Sequence, residues 1–302
     1  MHSSVVLRSA LKSALRSAAN FTMFSKRRRI RSVMFEVLSE HTTLMTVSHP
    51  DKESYVFRAG DEWIGRHIFL DGEFDFHKFV AAIEVLRSKR GSVPKVLIDV
   101  GANIGTICIP GVARGYVERA IAVEAEAMNF RLLKTNICLN QLEGLIRPVQ
   151  LAVGPIDGET LSLCIADENY GDFRVRRPAD DLESDAVPQA GAIAHVEAGR
   201  MDTICADELD QEVLIWMDVQ GFEGHALTGA TELLSRRNPL ILEFSPQLIR
   251  ESDSFAALVH SLANYESFCD LEQPNLSRPM TALTDLYEEL GEGGRFTDIL
   301  VL

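Results

Sequence analysis

The stretch Val96-Leu97-Ile98-Asp99-Val100-Gly101-Ala102-Asn103-Ile104-Gly105 decides the fold. Its first half, Val96–Val100, is apolar except for Asp99, as expected of a strand covered on both faces. Gly101 and Gly105 then allow the backbone to turn sharply and to approach a ligand closely. A helix is expected over Ile104–Arg114, with its free N-terminal N–H groups next to that turn. Pro110 predicts that this helix is kinked or shortened.

Downstream, buried strands alternate with helices. Strands are expected at Ala120–Glu124, Ile146–Val153, Val213–Val219, Leu240–Phe244, Ser267–Asp270 and Phe296–Leu302, which with Val96–Val100 makes seven. Helices are expected at Ala127–Asn140, Glu223–Ser235 and 251–264. An inserted hairpin is expected from Thr160–Ala166 with Val196–Glu197, and a loop over Arg176–Ala194, rich in Asp, Ala, Pro and Gly. Strands joined by helices of this length form right-handed βαβ units, so the chain is read as α/β, with a doubly wound, mostly parallel, Rossmann-like sheet. Ligands of such sheets sit at the carboxyl ends of the strands, where strand order reverses.

The chemistry-bearing residues lie at those ends. Glu124 closes the second strand, 23 residues past Gly101, where a carboxylate can accept both ribose hydroxyls of a nucleoside. A dinucleotide loop requires GxGxxG, but positions 103 and 106 hold Asn103 and Thr106. An adenosyl ligand without a pyrophosphate tolerates this looser turn. S-adenosylmethionine is therefore the expected cofactor, bound by Asp99, Gly101, Ala102, Asn103, Gly105 and Glu124, with Asp99 and Asn103 facing its cationic end. The broken glycine pattern disfavours an NAD-dependent oxidoreductase.

Taken together, Val96–Gly105 (VLIDVGANIG), Glu124, Leu132–Asn140 (LLKTNICLN), Val149–Gly154 (VQLAVG), Arg200–Ile204 (RMDTI), Trp216–Glu223 (WMDVQGFE), Gly229-Ala230, and Leu242-Glu243 followed by Pro246 resemble the FkbM-type methyltransferases. Ile64-Gly65-Arg66 and Gly72–Asp75 resemble that family's lead-in, so the likeness spans roughly residues 60–302. It implies a class I methyltransferase fold and O-methylation of a hydroxyl on a small molecule or glycan. One departure is Phe74-Asp75, where the family commonly has Tyr-Glu.

Methyl transfer from a sulfonium needs alignment of the reactants and, for a hydroxyl acceptor, a proton acceptor. Asp218, at a strand tip and freed by Gly221, is the leading candidate base and also a candidate anchor for the cofactor's amino group. Glu223 opens the next helix, where it serves either in catalysis or as complement to the helix dipole. Glu243 is an acid within the apolar strand Leu240–Phe244, so it is expected either to be paired or to face the pocket. His225 is read as a surface or packing residue. No metal site is expected, because Glu243-Phe244 stands where catechol-type enzymes supply an Asp-Asn pair.

Charge is unevenly distributed. Residues 1–32 hold eight Lys and Arg and no acid, which leaves −22 of the net −14 on the remainder. Such an acidic body argues against nucleic-acid partners. Leu7, Leu11 and Leu15 fall on one helical face beside Arg8, Lys12 and Arg16, and Lys26–Arg29 follows, so this segment is read as a solvated tail, a targeting segment or a peripheral membrane contact. Residues 33–92 form a lead-in, with extended pieces at Val33–Leu38, Leu44–Val47 and Tyr55–Arg58, a helix at Asp75–Leu86 and a turn at Ser88–Gly91. Residues 93–302 form the main domain. No run of about 18 apolar residues is present, and the five dispersed cysteines read as reduced thiols, so a cytoplasmic protein is expected. N-methylation, and a non-catalytic nucleoside-binding or membrane-associated scaffold, remain alternatives.

Overall fold

The computed structural model describes residues 28–165, 173–176, 193–291 and 293–302. The tail up to residue 27, and residues 177–192 of the expected loop, lie outside the described residues. A helix, α1, covers 28–39. It is followed by β1 (Leu44–Ser48), β2 (Ser54–Arg58), α2 (Ile64–Asp71) and α3 (Phe76–Arg90). The central part comprises β3 (Val96–Val100), α4 (Cys108–Ala113), β4 (Arg119–Val123), α5 (Ala127–Leu139) and β5 (Ile146–Val149). Next come β6 (Ala152–Val153), β7 (Thr160–Ile165), β8 (Phe173–Arg176), β9 (Ile193–Gly199) and α6 (Met201–Ile204). The last third holds β10 (Val213–Met217), α7 (Glu223–Thr228), α8 (Thr231–Ser235), β11 (Leu240–Phe244), α9 (Pro246–Glu251), α10 (Phe255–Ser261), β12 (Ser267–Asp270), β13 (Ser277–Pro279), α11 (Leu283–Leu290) and β14 (Thr297–Val301).

The main sheet runs β13-β12-β14-β11-β10-β3-β4-β5. It contains the seven expected strands plus β13, a three-residue strand at one edge. The five strands from β5 to β11 are parallel, and β14, β12 and β13 join antiparallel. Alternate residues feed two cores, as the two-residue period of a strand requires. Leu97, Ala120, Ala122, Leu214 and Ile241 face the layer containing α3, α4 and α5. Val96, Ile98, Ile121, Ile215 and Leu242 face the layer containing α7, α8 and α10. Strand order reverses at β3, which lies between β4 and β10.

Several local expectations are corrected. Val33–Leu38 is helical, not extended. Arg28, at the end of the expected tail, pairs with Asp71 through two 3.0 Å hydrogen bonds, so the body begins at least by residue 28. Helix α3 continues through the expected Ser88–Gly91 turn as far as Arg90 and ends at Gly91 in the left-handed conformation. The helix expected from Ile104 starts only at Cys108, because Asn103 and Gly105 hold positive φ. Pro110 thus lies in its first turn, where no N–H is required. The strand expected over Ile146–Val153 breaks after Val149, and Ala152–Val153 leaves to pair with β9. The helix expected over Glu223–Ser235 is two helices, because a side chain at Gly229 would meet the Gly154 carbonyl at 2.3 Å and the chain passes tightly there. Residues 251–264 likewise divide between α9 and α10.

The expected pairing of Thr160–Ala166 with Val196–Glu197 forms, Thr160 opposite Glu197 and Leu161 opposite Val196, but within a small sheet β6-β9-β7-β8 in which β8 pairs with the other edge of β7. Asparagines of the LLKTNICLN stretch join the lead-in to the body. Asn136 accepts from the Val56 amide at 2.7 Å and donates to the carbonyls of Val56 and Ile104. Asn140 makes a matching pair with Ser54. Asp202 of RMDTI caps α8 by accepting from the Glu232 and Leu233 amides. Among the described residues, no helix is long and apolar enough to cross a membrane.

Candidate active site

A cleft partly open to solvent lies at the carboxyl ends of β3, β4, β10 and β11. This is the switch point of the sheet, where α/β folds of this kind bind ligands. The small sheet closes one side through Ala152, Val153, Leu163 and Val175, and the lead-in closes another through Ile64, Phe74, Asp75 and Lys78. Of the residues expected to bind cofactor, Asp99, Gly101, Ala102, Asn103, Glu124 and Asp218 line the cleft.

Gly101 holds φ +80°, and a Cβ there would lie 1.9 Å from the Asp218 carbonyl oxygen, so no other residue fits between β3 and β10. The amides of Gly101 and Ala102 both donate to the Val123 carbonyl. The loop therefore offers a close backbone surface, not the free helix N–H groups expected from the sequence. Asn103 also adopts a left-handed conformation, φ 49°, and its amide donates to Glu124 Oε2 at 2.9 Å. Glu124 Oε1 accepts from the Glu126 amide at 2.8 Å. Each of these oxygens keeps a second lone pair. Burial, with the charges of Glu126 and Asp99 adding, pushes Glu124 up to about 7 against these amides. Asp99 Oδ2 accepts from the Cys108 amide at 3.0 Å, while Oδ1 is buried without a hydrogen-bond partner. Burial, reinforced by Asp218, raises Asp99 to about 7 as well. A buried carboxylate with an unused oxygen is costly unless a ligand or proton meets it.

The far end of the cleft holds a second group of charges. Asp218 follows β10 and Glu243 lies in β11, and both accept from the amide of Gln220, at 2.8 and 3.3 Å. Gln220 takes φ 54°, an uncommon conformation for a side-chain-bearing residue, and such strain concentrates at functional sites. Burial, with Asp298 and Asp75 adding, pushes Asp218 up to about 6 despite the Gln220 hydrogen bond. Burial and the neighbouring Asp218, Glu223 and Asp298 charges drive Glu243 well above the usual carboxylate range. Lys78 reaches in from α3 and pairs with Asp298 at 2.7 Å and Asp75 at 3.0 Å. Burial opposes its charge, but Asp298 and Asp75 outweigh it and raise the ammonium above its ordinary value. Asp75, the departure from Tyr-Glu, thus lines the cleft, with φ 54° and Lys78 as its partner.

Three expected or considered residues stand outside the lining. Glu223 is fully buried, and its Oε1 accepts from the amides of Val219 and Gly221, so it holds the 218–221 turn from beneath. Of the two readings of Glu223, in catalysis or at the helix N-terminus, its placement at the start of α7 and its bonds to the turn are those of a supporting residue. Gly105 also lies outside the lining, and the Ile109 side chain occupies the space where its Cβ would be. His225 Nε2 sits 2.8 Å from the Ser252 carbonyl, a packing role. Lys78, Gln220, Trp216 and Asp298 line the cleft and were not singled out from the sequence. Among the described residues, no group of three or more His, Cys, Asp or Glu is arranged to hold a metal ion.

The chain is similar to several solved structures. These include TYW2 of P. horikoshii in complex with MeSAdo, with 12% identity over 91% of this chain and 81% of that one and a TM-score of 0.40. The tRNA m1G37 methyltransferase of M. jannaschii shows 12% identity over 86% and 56%, with a TM-score of 0.42. The METTL16 MTase domain shows 14% identity over 74% and 65%, with a TM-score of 0.40. The chain spans less than two thirds of the last two, and likenesses this distant leave the substrate open. No curated protein matches it. Residues 99–267, from the buried aspartate of β3 to the start of β12, match the Methyltransferase FkbM domain over more than half of the chain, so the chain belongs to the FkbM methyltransferase family.

Proposed function

We propose that the protein transfers a methyl group from S-adenosylmethionine to a hydroxyl on a small molecule or glycan. The observation that carries the reading is the cleft lining itself, which among the described residues holds six carboxylates (Asp75, Asp99, Glu124, Asp218, Glu243 and Asp298) and one cation, Lys78. Asp99, with its unused Oδ1, and the Gly101–Asn103 turn would hold the cationic methionine end, and Glu124 would accept the ribose hydroxyls. S-adenosylmethionine supplies a methyl group on a sulfonium centre, open to in-line displacement by an aligned nucleophile. Asp218, raised to about 6, is mostly ionised near neutral pH yet basic enough to take a hydroxyl proton. Gln220 orients that carboxylate, and Lys78, held by Asp75 and Asp298, limits the negative charge around it.

The same lining selects the acceptor class. A phosphate-rich acceptor would bring like charge beside Asp218 and beside Asp75 and Asp298, which Lys78 only partly offsets, an unfavourable arrangement. A neutral polyol finds hydrogen-bond acceptors throughout. The test is transfer of labelled methyl from S-adenosylmethionine to a panel of neutral glycans and hydroxyl-bearing small molecules, with transfer RNA and simple amines alongside. Label in an ether linkage on a neutral acceptor is expected. Label confined to RNA or to amine nitrogen would contradict the reading.

A further inference from the structure

Helix α1 has two faces of opposite character. On the inner face, Phe35 is fully buried and its ring lies 5.6 Å from Phe69, Arg28 pairs with Asp71, and Arg31 donates to the Leu70 carbonyl at 2.9 Å. The outer face presents Ile30, Val33, Met34, Val37 and Leu38, exposed by 61, 55, 49, 52 and 37%. Their spacing of 0, 3, 4, 7 and 8 gathers them into one stripe. Scattered exposed apolar residues are ordinary, whereas a contiguous stripe on a helix already docked by its other side marks a contact surface.

We propose that this stripe, with the basic residues at its start, docks the protein on an anionic lipid surface. Charge selects this occupant. Arg29 lies exposed in the first turn of α1, Lys26 and Arg27 precede that helix in the sequence, and residues 1–32 contain no acid while the rest of the chain carries −22. A second copy would bring the same cations to the contact and be repelled. Five side chains also fall short of the roughly 800 Å² per partner that a stable protein interface buries. An anionic bilayer supplies both requirements, an apolar interior for the stripe and negative headgroups for the cations. The net −22 of the rest of the chain favours approach by the basic end of the protein. Upstream, Leu7, Leu11 and Leu15 beside Arg8, Lys12 and Arg16 repeat the pairing of apolar and basic residues at helical spacing. The inference is independent of the methyl acceptor.

The test is co-sedimentation of the full chain with phosphatidylcholine vesicles, with and without phosphatidylserine, for wild type and for Val33→Glu/Val37→Glu. Binding only to phosphatidylserine vesicles is expected, weakening with salt. The double variant should lower the partition coefficient about tenfold or more, with unchanged circular dichroism and melting temperature. Absence of binding to either vesicle, or binding that the double variant leaves intact, would overturn the proposal. So would a wild-type dimer that the variant makes monomeric, which would assign the stripe to a second copy. A variant that melts earlier while wild type ignores lipid would assign it to residues 1–27 of the same chain.

Discussion

Gly101→Ala is expected to abolish measurable cofactor binding and to destabilise the fold by about 3 kcal/mol. Two costs combine at this position. The residue holds φ +80°, where a Cβ is strained, and that Cβ would sit 1.9 Å from the Asp218 carbonyl oxygen. The obstacle is backbone at the end of β10, so no rotamer change relieves it, and β3 or the 218–221 turn must shift. Either shift moves Asp99 and Asp218 apart and spoils both ends of the cleft. Gly115→Ala is the control, since Gly115 also has positive φ, +72°, but no atom within 4 Å of the added carbon. It should lose only the conformational term, about 1 kcal/mol, and keep its affinity. Thermal melts and titration of the two variants separate these contributions. Equal losses in both would show that the close approach of β3 and β10 does not shape the site.

Asp218→Asn should lower kcat about 10²- to 10⁴-fold while cofactor affinity changes little. Asparagine keeps an oxygen to accept from Gln220 but cannot take a proton. The pH profile gives a second reading. The base works in its ionised form, and burial places Asp218 at about 6, so wild-type kcat should rise with pH through about 6 and level off above it. The variant should lack that limb. Lost affinity with preserved turnover would instead make Asp218 an anchor for the cofactor's amino group.

How much of this was legible depended on how local the signal was. Strands β3 and β11 match their expected bounds, because each is a short, mostly apolar run ended by its own turn residues. Helix α1 was read as extended because Val33, Phe35 and Val37 also fit a two-residue alternation. The helical set starting at Ile30 competes with that pattern, and Arg28, Arg31 and Phe35 docking on α2 decides between them. Gly229, the C-cap of α7, is a local sign of the break, whereas the reason no side chain fits there, the Gly154 carbonyl 75 residues away, is not local.

The cleft shows the same division. Asp99, Gly101, Asn103, Glu124, Asp218 and Glu243 sit at strand ends or turns, and the topology alone brings them together. Lys78 depends on a long-range pairing with Asp298, and nothing beside it in sequence announces this. Asp298 did carry a usable signal. It is an acid inside the apolar strand Thr297–Val301, the same feature that singled out Asp99 and Glu243. Glu223 illustrates the converse. Its place in the sequence left both catalysis and a helix N-terminal role open, whereas its position beneath the 218–221 turn follows from two backbone amides.

The most direct test of the central claim is calorimetric titration of the purified full chain with S-adenosylmethionine, S-adenosylhomocysteine and NADH. The account predicts micromolar binding of both adenosyl ligands and no heat from NADH. Binding of NADH, or of none of the three, would contradict it.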